Sequence, residues 1–320
     1  MNLPIQPVPA LDVPWLPGGH AQTIWPGLFG RAPTLAWRRQ RWELDDGDFI
    51  DADYLDIDQK TAPVLVLLHG LEGSSNSHYL RAIAAAAHAA GYQICAPHFR
   101  GCSGQPNRLA RAYHSGDGDE VELFLKRAWQ PGAALYAVGV SLGGSALLNY
   151  LASRQESSLL RAAIAVCAPL DLAASGQAIA TGFAQIYTRM FLRTLKQKSA
   201  EKLQRFPGLF DPRKMQAART MYDFDNVFTA PLHGYQNTND YWHRASSKPK
   251  LPAIKTPVLI INPLNDPFVP KDSLPCPSAV SPQVMLCYPR HGGHAGFISG
   301  PPPGQLTWLP RNVLDFFGHG

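Results

Sequence analysis

The chain has 320 residues, 45% of them hydrophobic and 17% charged, with a formal net charge of +5. That apolar share is enough for a large core, and the length suits one α/β domain carrying an insertion. No dense Lys/Arg block or nucleic-acid module is present, which excludes that class of partner, and no run reaches the roughly 18 apolar residues of a membrane span.

Residues 1–35 are Pro-rich and read as an irregular N-terminal arm that packs Trp15, Ile24, Trp25, Leu28 and Phe29 against the main body. Its first part, Met1 to Gly19, has neither a basic start nor a continuous apolar stretch, so no signal peptide or anchor is expected. Arg38 to Leu44 and Phe49 to Leu55 alternate as two antiparallel strands around the turn Asp45-Asp46-Gly47-Asp48, a hairpin at a sheet edge.

From residue 63 buried strands alternate with helices. Strands are predicted at Pro63 to His69, Tyr92 to Phe99, Leu135 to Val140 and Arg161 to Ala168, with helices at His78 to Ala90 and Gly118 to Trp129. Continuous apolar strands separated by helices imply a mostly parallel sheet covered on both faces. Residues 170–250 break this rhythm with a mainly helical, aromatic-rich stretch, too long for a simple crossover and read as an inserted cap. Within it Ile179, Phe183, Ile186, Met190 and Leu195 recur at three-to-five spacing beside Arg189, Arg193, Lys196, Lys198 and Lys202. That face reads as a helix docked on its own protein with solvated lysines; a lid meeting a lipid surface is the alternative. Pro257 to Asn262 and Val284 to Tyr288 restore the sheet, and Leu309 to Phe317 forms a terminal helix. The expected domains are the arm, a core of 36–169 and 251–320, and the cap at 170–250.

Chemistry concentrates at Gly139-Val140-Ser141-Leu142-Gly143. A serine between glycines, after a buried strand and before a helix, is the nucleophile elbow, in which small residues leave room for a strained turn that lifts the hydroxyl toward substrate. An alcohol is a poor nucleophile near neutral pH, so Ser141 needs a base and a carboxylate to orient that base, expected in the chain order serine, acid, histidine. Asp266, after the strand ending at Asn262 and among prolines, is the preferred acid, with Asp171 as competitor. His294, in the glycine loop Arg290 to Phe297, is the preferred base, with His291 as the nearby alternative. A glycine-flanked histidine can swing to bridge hydroxyl and carboxylate. The oxyanion is assigned to the backbone N–H groups of Leu142 and, in the loop His69 to Gly73, Leu71. His98 to Gly104 is expected to flank the pocket, with Ser103 as a turn serine.

Together these residues resemble the α/β-hydrolase superfamily and, within it, the YheT-like group with its EMB8-like and ABHD lipase relatives. The resemblance rests on His20-Ala21-Gln22-Thr23-Ile24-Trp25-Pro26, His69-Gly70-Leu71-Glu72-Gly73-Ser74, Phe99 to Gly104, Tyr113-His114-Ser115-Gly116, Gly139 to Gly144, Asn265-Asp266-Pro267-Phe268 and His291 to Phe297. It implies an α/β-hydrolase fold, triad roles for Ser141, Asp266 and His294, and hydrolysis of short to medium acyl esters or acylglycerols. Asn265 departs from it, standing where an acidic residue is often found.

His291 and His294 lie three apart without Cys, Asp or Glu at ligand spacing, so no metal or other cofactor is expected. The five cysteines lack framework spacing and read as free thiols in a reducing, cytoplasmic setting. A small-molecule ester or lipid is the expected partner. An amidase or thioesterase sharing the triad, or a non-catalytic binding protein of this fold, are the rival readings.

Overall fold

A computed structural model describes residues 11–59 and 61–318; Met1 to Ala10, the first part of the arm, lie outside the described residues, as do Lys60, His319 and Gly320. The chain begins with α1 (Gly19–Phe29), then the hairpin β1 (Arg38–Glu43) and β2 (Phe49–Leu55). There follow β3 (Val64–Leu68), α2 (His78–Ala89), β4 (Gln93–Pro97), α3 (Gly118–Ala128), β5 (Leu135–Val140), α4 (Leu142–Arg154) and β6 (Ala162–Val166). Six helices come next: α5 (Leu172–Ile179), α6 (Gln185–Arg205), α7 (Pro212–Ala217), α8 (Met221–Phe224), α9 (Ala230–Leu232) and α10 (Thr238–Ala245). The chain closes with β7 (Val258–Ile261), β8 (Val284–Cys287) and α11 (Trp308–Gly318).

The strands form one eight-stranded sheet in the order β1-β2-β4-β3-β5-β6-β7-β8. Pairing is antiparallel at β1/β2 and β2/β4 and parallel everywhere else, so the predicted edge hairpin joins a parallel sheet. Every residue of β3, β5, β6 and β7 is buried, as their unbroken apolar runs require of strands covered on both faces. Side chains of α3 and α4 share one core with one face of the sheet, and those of α2 and α11 share a second core with the other. Asp117 caps α3 by accepting from the Glu120 N–H, and acidic residues in its first turn with Lys126 and Arg127 in its last suit the helix dipole.

Two expectations need correcting. The arm is not irregular throughout, because residues 19–29 form a helix that contains Pro26, and Leu28 and Phe29 at its end are exposed rather than packed. Tertiary contacts described below override the weak helical signal of a Gly- and Pro-containing segment. On α6 the expected faces are partly reversed. Phe183, in the turn before it, and Ile186 and Met190 point outward, while Lys196, Lys198 and Lys202 turn inward onto protein oxygens. Long lysine stems pack along apolar surface while their ammonium groups reach acceptors, so sequence spacing alone does not assign the solvent side.

Candidate active site

The parallel strands deliver their carboxyl ends to one edge of the sheet, where a fold of this kind collects ligands. At the end of β5 the chain reaches Ser141, which adopts φ 54° and ψ −121°, a left-handed conformation that costs a residue with a side chain. Its N–H continues the sheet ladder to the Val166 carbonyl at 2.8 Å, so the strain is held from below. The bend leaves no room on its inner side. A Cβ at Gly139 would lie 2.5 Å from the Gly143 oxygen, and one at Gly143 would lie 2.6 Å from the His69 oxygen.

Beyond β7 lies Asp266 and beyond β8 lies His294. His294 Nε2 is 2.9 Å from Ser141 Oγ, and His294 Nδ1 is 2.9 Å from Asp266 Oδ2 and 3.1 Å from Oδ1. Asp266 Oδ1 also accepts from the Phe268 N–H at 2.7 Å and from Val269 N–H at 3.3 Å, which fixes the carboxylate plane. Phe268 then stacks on the imidazole with ring centroids 4.1 Å apart. The alternatives lie elsewhere in the hydrogen-bond pattern. Asp171 caps α5 by accepting from the Ala174 N–H, and His291 Nδ1 is buried with no partner among the described residues. Ser103 donates to Asp51, as a turn serine would.

The loop after β3 runs against the serine, since a Cβ at Gly70 would meet Ser141 Cβ at 3.1 Å. Its N–H groups are spoken for except one. Gly70 donates to the Tyr79 hydroxyl, Glu72 to the Tyr113 hydroxyl and Gly73 to the Gly70 carbonyl, whereas Leu71 N–H has no acceptor among the described residues. Leu142 opens α4, where the first N–H groups have no acceptor within the helix. Both leucines line the cavity that contains Ser141 and His294. His69 keeps the loop's base rigid: its Nε2 accepts from the Phe99 N–H at 3.1 Å, so Nδ1 carries the proton and donates to the Gly70 oxygen at 2.7 Å. Burial lowers the His69 imidazole to about 3, which keeps that tautomer neutral.

Several supporting residues escaped sequence reasoning. The glycine loop around His294 is pinned rather than free to swing. Gln22 Oε1 accepts from the Gly292 N–H and from Asn265 Nδ2, both at 2.9 Å, and Thr23 Oγ1 accepts from the His294 N–H at 2.9 Å. Asn265 Oδ1 accepts in turn from the Gly293 N–H at 3.1 Å. The glycines serve the approach of α1, for a Cβ at Gly296 would lie 2.0 Å from the Gln22 oxygen. Under the pair, Cys167 adopts φ 50° and its sulfur accepts from the Ala295 N–H at 3.2 Å. Burial first, and the nearby Asp266 carboxylate second, hold this thiol well above its ordinary value. On the cavity's other wall Glu72, itself at φ 55°, pairs with Lys198 of α6 at 2.9 Å and accepts from the Tyr113 hydroxyl. The only sequence signal for Gln22 and Thr23 was the motif they belong to, which suggested no chemistry.

The cavity, of about 560 Å³, is bounded by the loops after β3, β4 and β5 and by α5, α6, α8 and α10. The loop after β4 flanks it through Arg100, Gly101, Cys102 and Gly104. Arg100 anchors that loop by ion pairs to Asp48 at 2.8 Å and Glu120 at 2.9 Å. Cys167, Asp266 and His294 also bring a sulfur, a carboxylate oxygen and a ring nitrogen within 4.8 Å of one another. In this arrangement Asp266 and His294 already bond to each other, so a metal there would displace the hydrogen bond that orients the imidazole.

This elbow, set on a sheet of this order, defines a known class of protein. Residues 63–301 match the family model of the alpha/beta hydrolase fold, and the chain belongs to that family. It is 38% identical over 303 residues to YheT of Escherichia coli (strain K12), whose name assigns it esterase activity provisionally, covering 93% of this chain and 89% of that one. Against human phospholipase ABHD3 the identity is 29% over 313 residues, or 94% of this chain and 76% of the relative. Among solved structures, alpha/beta hydrolase domain-containing protein 10 from mouse matches with a TM-score of 0.58 at 14% identity, over 88% of this chain and 99% of that one, a likeness of fold.

Proposed function

We propose that the chain is a serine carboxylic-ester hydrolase that works through an acyl-enzyme. The observation that carries this reading is the unbroken line from Ser141 Oγ through His294 to Asp266, with 2.9 Å at each link. His294 Nε2 takes the proton as Ser141 Oγ attacks the ester carbonyl. Asp266 holds the ring in the Nδ1–H tautomer and balances the imidazolium that forms. Negative charge on the carbonyl oxygen is met by the Leu71 and Leu142 N–H groups, which stand ready without reorganising. His294 then protonates the departing alcohol, and water attacks the acyl-enzyme by the same route in reverse. No step calls for a cofactor or metal.

Short to medium acyl esters or acylglycerols suit the cavity, whose walls include Leu71, Leu172, Ile179, Phe191, Met221 and Phe228. Residues 170–250 act as the cap that sets chain length, over a core of 36–169 and 251–320 with residues 1–35 as an arm against it. Five free cysteines suit a reducing, cytoplasmic setting. No helix among the described residues is long and apolar enough to cross a membrane.

Initial rates on p-nitrophenyl esters from acetyl to palmitoyl, run on the native chain and on Ser141→Ala, test the proposal. Hydrolysis with a chain-length optimum, reduced by on the order of 10⁴ to 10⁶ in kcat by the substitution, is expected. Absence of turnover across the series, with activity on amides or thioesters instead, would move the assignment to those acyl groups.

A further inference from the structure

The outer face of α6 and the turn before it carries an apolar ridge that the described residues leave largely exposed. Phe183 is 53% exposed, Ile186 43% and Met190 60%. At about 100° per residue, Ile186, Met190, Arg189 and Arg193 fall within an arc of roughly 100° on one side of the helix. Both arginines are exposed, and neither has a carboxylate partner among the described residues. Sequence composition makes this imbalance local: between Asp171 and Glu201 there is no acidic residue at all. The two lysines of that stretch turn away from the ridge, Lys196 onto the Gln216 and Ala218 carbonyls and Lys198 onto Glu72.

The opposite face of α6 reaches the cavity through Phe191 and Leu195, beside Ile179 at the end of α5. A run of ring contacts joins the two sides. Phe183 lies 4.7 Å from His20, His20 stacks on Tyr187 at 5.8 Å, Tyr187 meets Phe268 at 4.7 Å, and Phe268 stacks on His294.

We infer that this ridge docks the protein on the surface of an anionic lipid bilayer. Three bulky apolar side chains enter the boundary between headgroups and acyl chains, while Arg189 and Arg193 meet the lipid phosphates, the arrangement of an interfacial helix rather than a spanning one. Charge chooses the occupant. A folded protein partner or a second copy would have to cover two uncompensated guanidinium groups with its own carboxylates, and this chain offers no acidic residue along the ridge to reciprocate, whereas an anionic leaflet supplies negative charge everywhere. Docking by this face sets the cavity wall of α5 and α6 against the lipid, and it does not depend on the triad.

The test is flotation of the full-length Ser141→Ala chain with vesicles of phosphatidylcholine alone and of phosphatidylcholine with phosphatidylglycerol, at low and high salt. Binding to the anionic vesicles only, weakened by salt, is expected. It should fall by on the order of ten-fold or more in Arg189→Glu/Arg193→Glu and in Phe183→Ser/Ile186→Ser/Met190→Ser, with unchanged thermal unfolding. The same changes in an otherwise native chain should leave hydrolysis of a dissolved short ester unchanged, which separates failure of docking from failure of the esterase reading. Equal flotation of native and substituted chains, or none, overturns the inference. So does a dimer in sedimentation that the apolar triple substitution abolishes, since the ridge would then belong to a second copy.

Discussion

Gln22 accepts a hydrogen bond from the side chain of Asn265 across 243 positions of chain, and the same Gln22 oxygen accepts from the Gly292 N–H. One amide of α1 thereby ties together the loop of Asp266 and the loop of His294, with Thr23 beside it holding the His294 N–H. Gln22 is buried, so Gln22→Ala leaves two donors without an acceptor, at about 1–3 kcal/mol each. Lowered thermal stability and a lower kcat are expected together. Thr23→Val removes the acceptor of the His294 N–H together with the hydroxyl's own donation to the Gly19 carbonyl within α1, and should lower kcat by on the order of ten-fold with KM little changed, read by steady-state kinetics. Native kinetics in Thr23→Val would mean that the loop keeps its place without α1.

Asp266→Asn keeps the shape of the acid but presents an amide to His294 Nδ1, favouring the wrong tautomer. A fall in kcat on the order of 10⁴ is expected, with circular dichroism unchanged. Asp171→Asn touches only the cap of α5, and should cost about 1 kcal/mol of stability or less without lowering kcat comparably. The two substitutions, assayed side by side, decide between the candidate acids.

Cys167 supports the pair from beneath. Cys167→Ala takes the acceptor from the buried Ala295 N–H and should lower stability by about 1–3 kcal/mol in urea unfolding, while Cys167→Ser restores an acceptor and most of the loss. Thiol labelling gives a second view. Cys276 is exposed and its thiol is held below the usual value by the Ser278 hydroxyl, so it should react first in the native protein, with Cys167 labelled only on unfolding.

Acid should unfold the chain partly through histidines. Burial lowers both His69 and His233 from 6.5 to about 3. Between those values the unfolded chain binds protons that the folded chain refuses, so stability rises with pH there; the contribution is present above pH 6.5 and is lost progressively on acidification toward pH 3. Urea midpoints measured across that window should fall with pH, and His233→Phe should flatten the slope. An unaltered slope in His233→Phe would show that this histidine adds nothing to the linkage.

Much of this architecture could be read in advance, for reasons visible in particular residues. Strands β3, β5 and β6 are short apolar runs between turn residues, a pattern set by burial on both faces of a parallel sheet, and the elbow glycines announce the bend at Ser141. Asp266 and His294 could be picked out because the fold places them after successive strands. What stayed hidden depends on contacts between distant backbones. Nothing local in Gln22 says that its amide will meet Gly292, and nothing local in Gly296 says that its missing side chain admits the Gln22 carbonyl. The facing of α6 was hidden differently, because a lysine such as Lys202 carries enough apolar stem to turn inward onto Asn107, Leu109 and Arg111.

The hold of α1 on the glycine loop also has a meaning in time. The Gln22 and Gly292 partners lie 270 positions apart, so at roughly 5–20 residues per second the ribosome leaves α1 waiting for its counterpart on the order of ten seconds to a minute. In the later part of that interval the bend at Ser141 can already be made, while His294 and the loop that α1 holds have yet to be synthesised. The hydrogen bonds that join α1 to the loops of Asp266 and His294 are therefore among the last that synthesis allows to form.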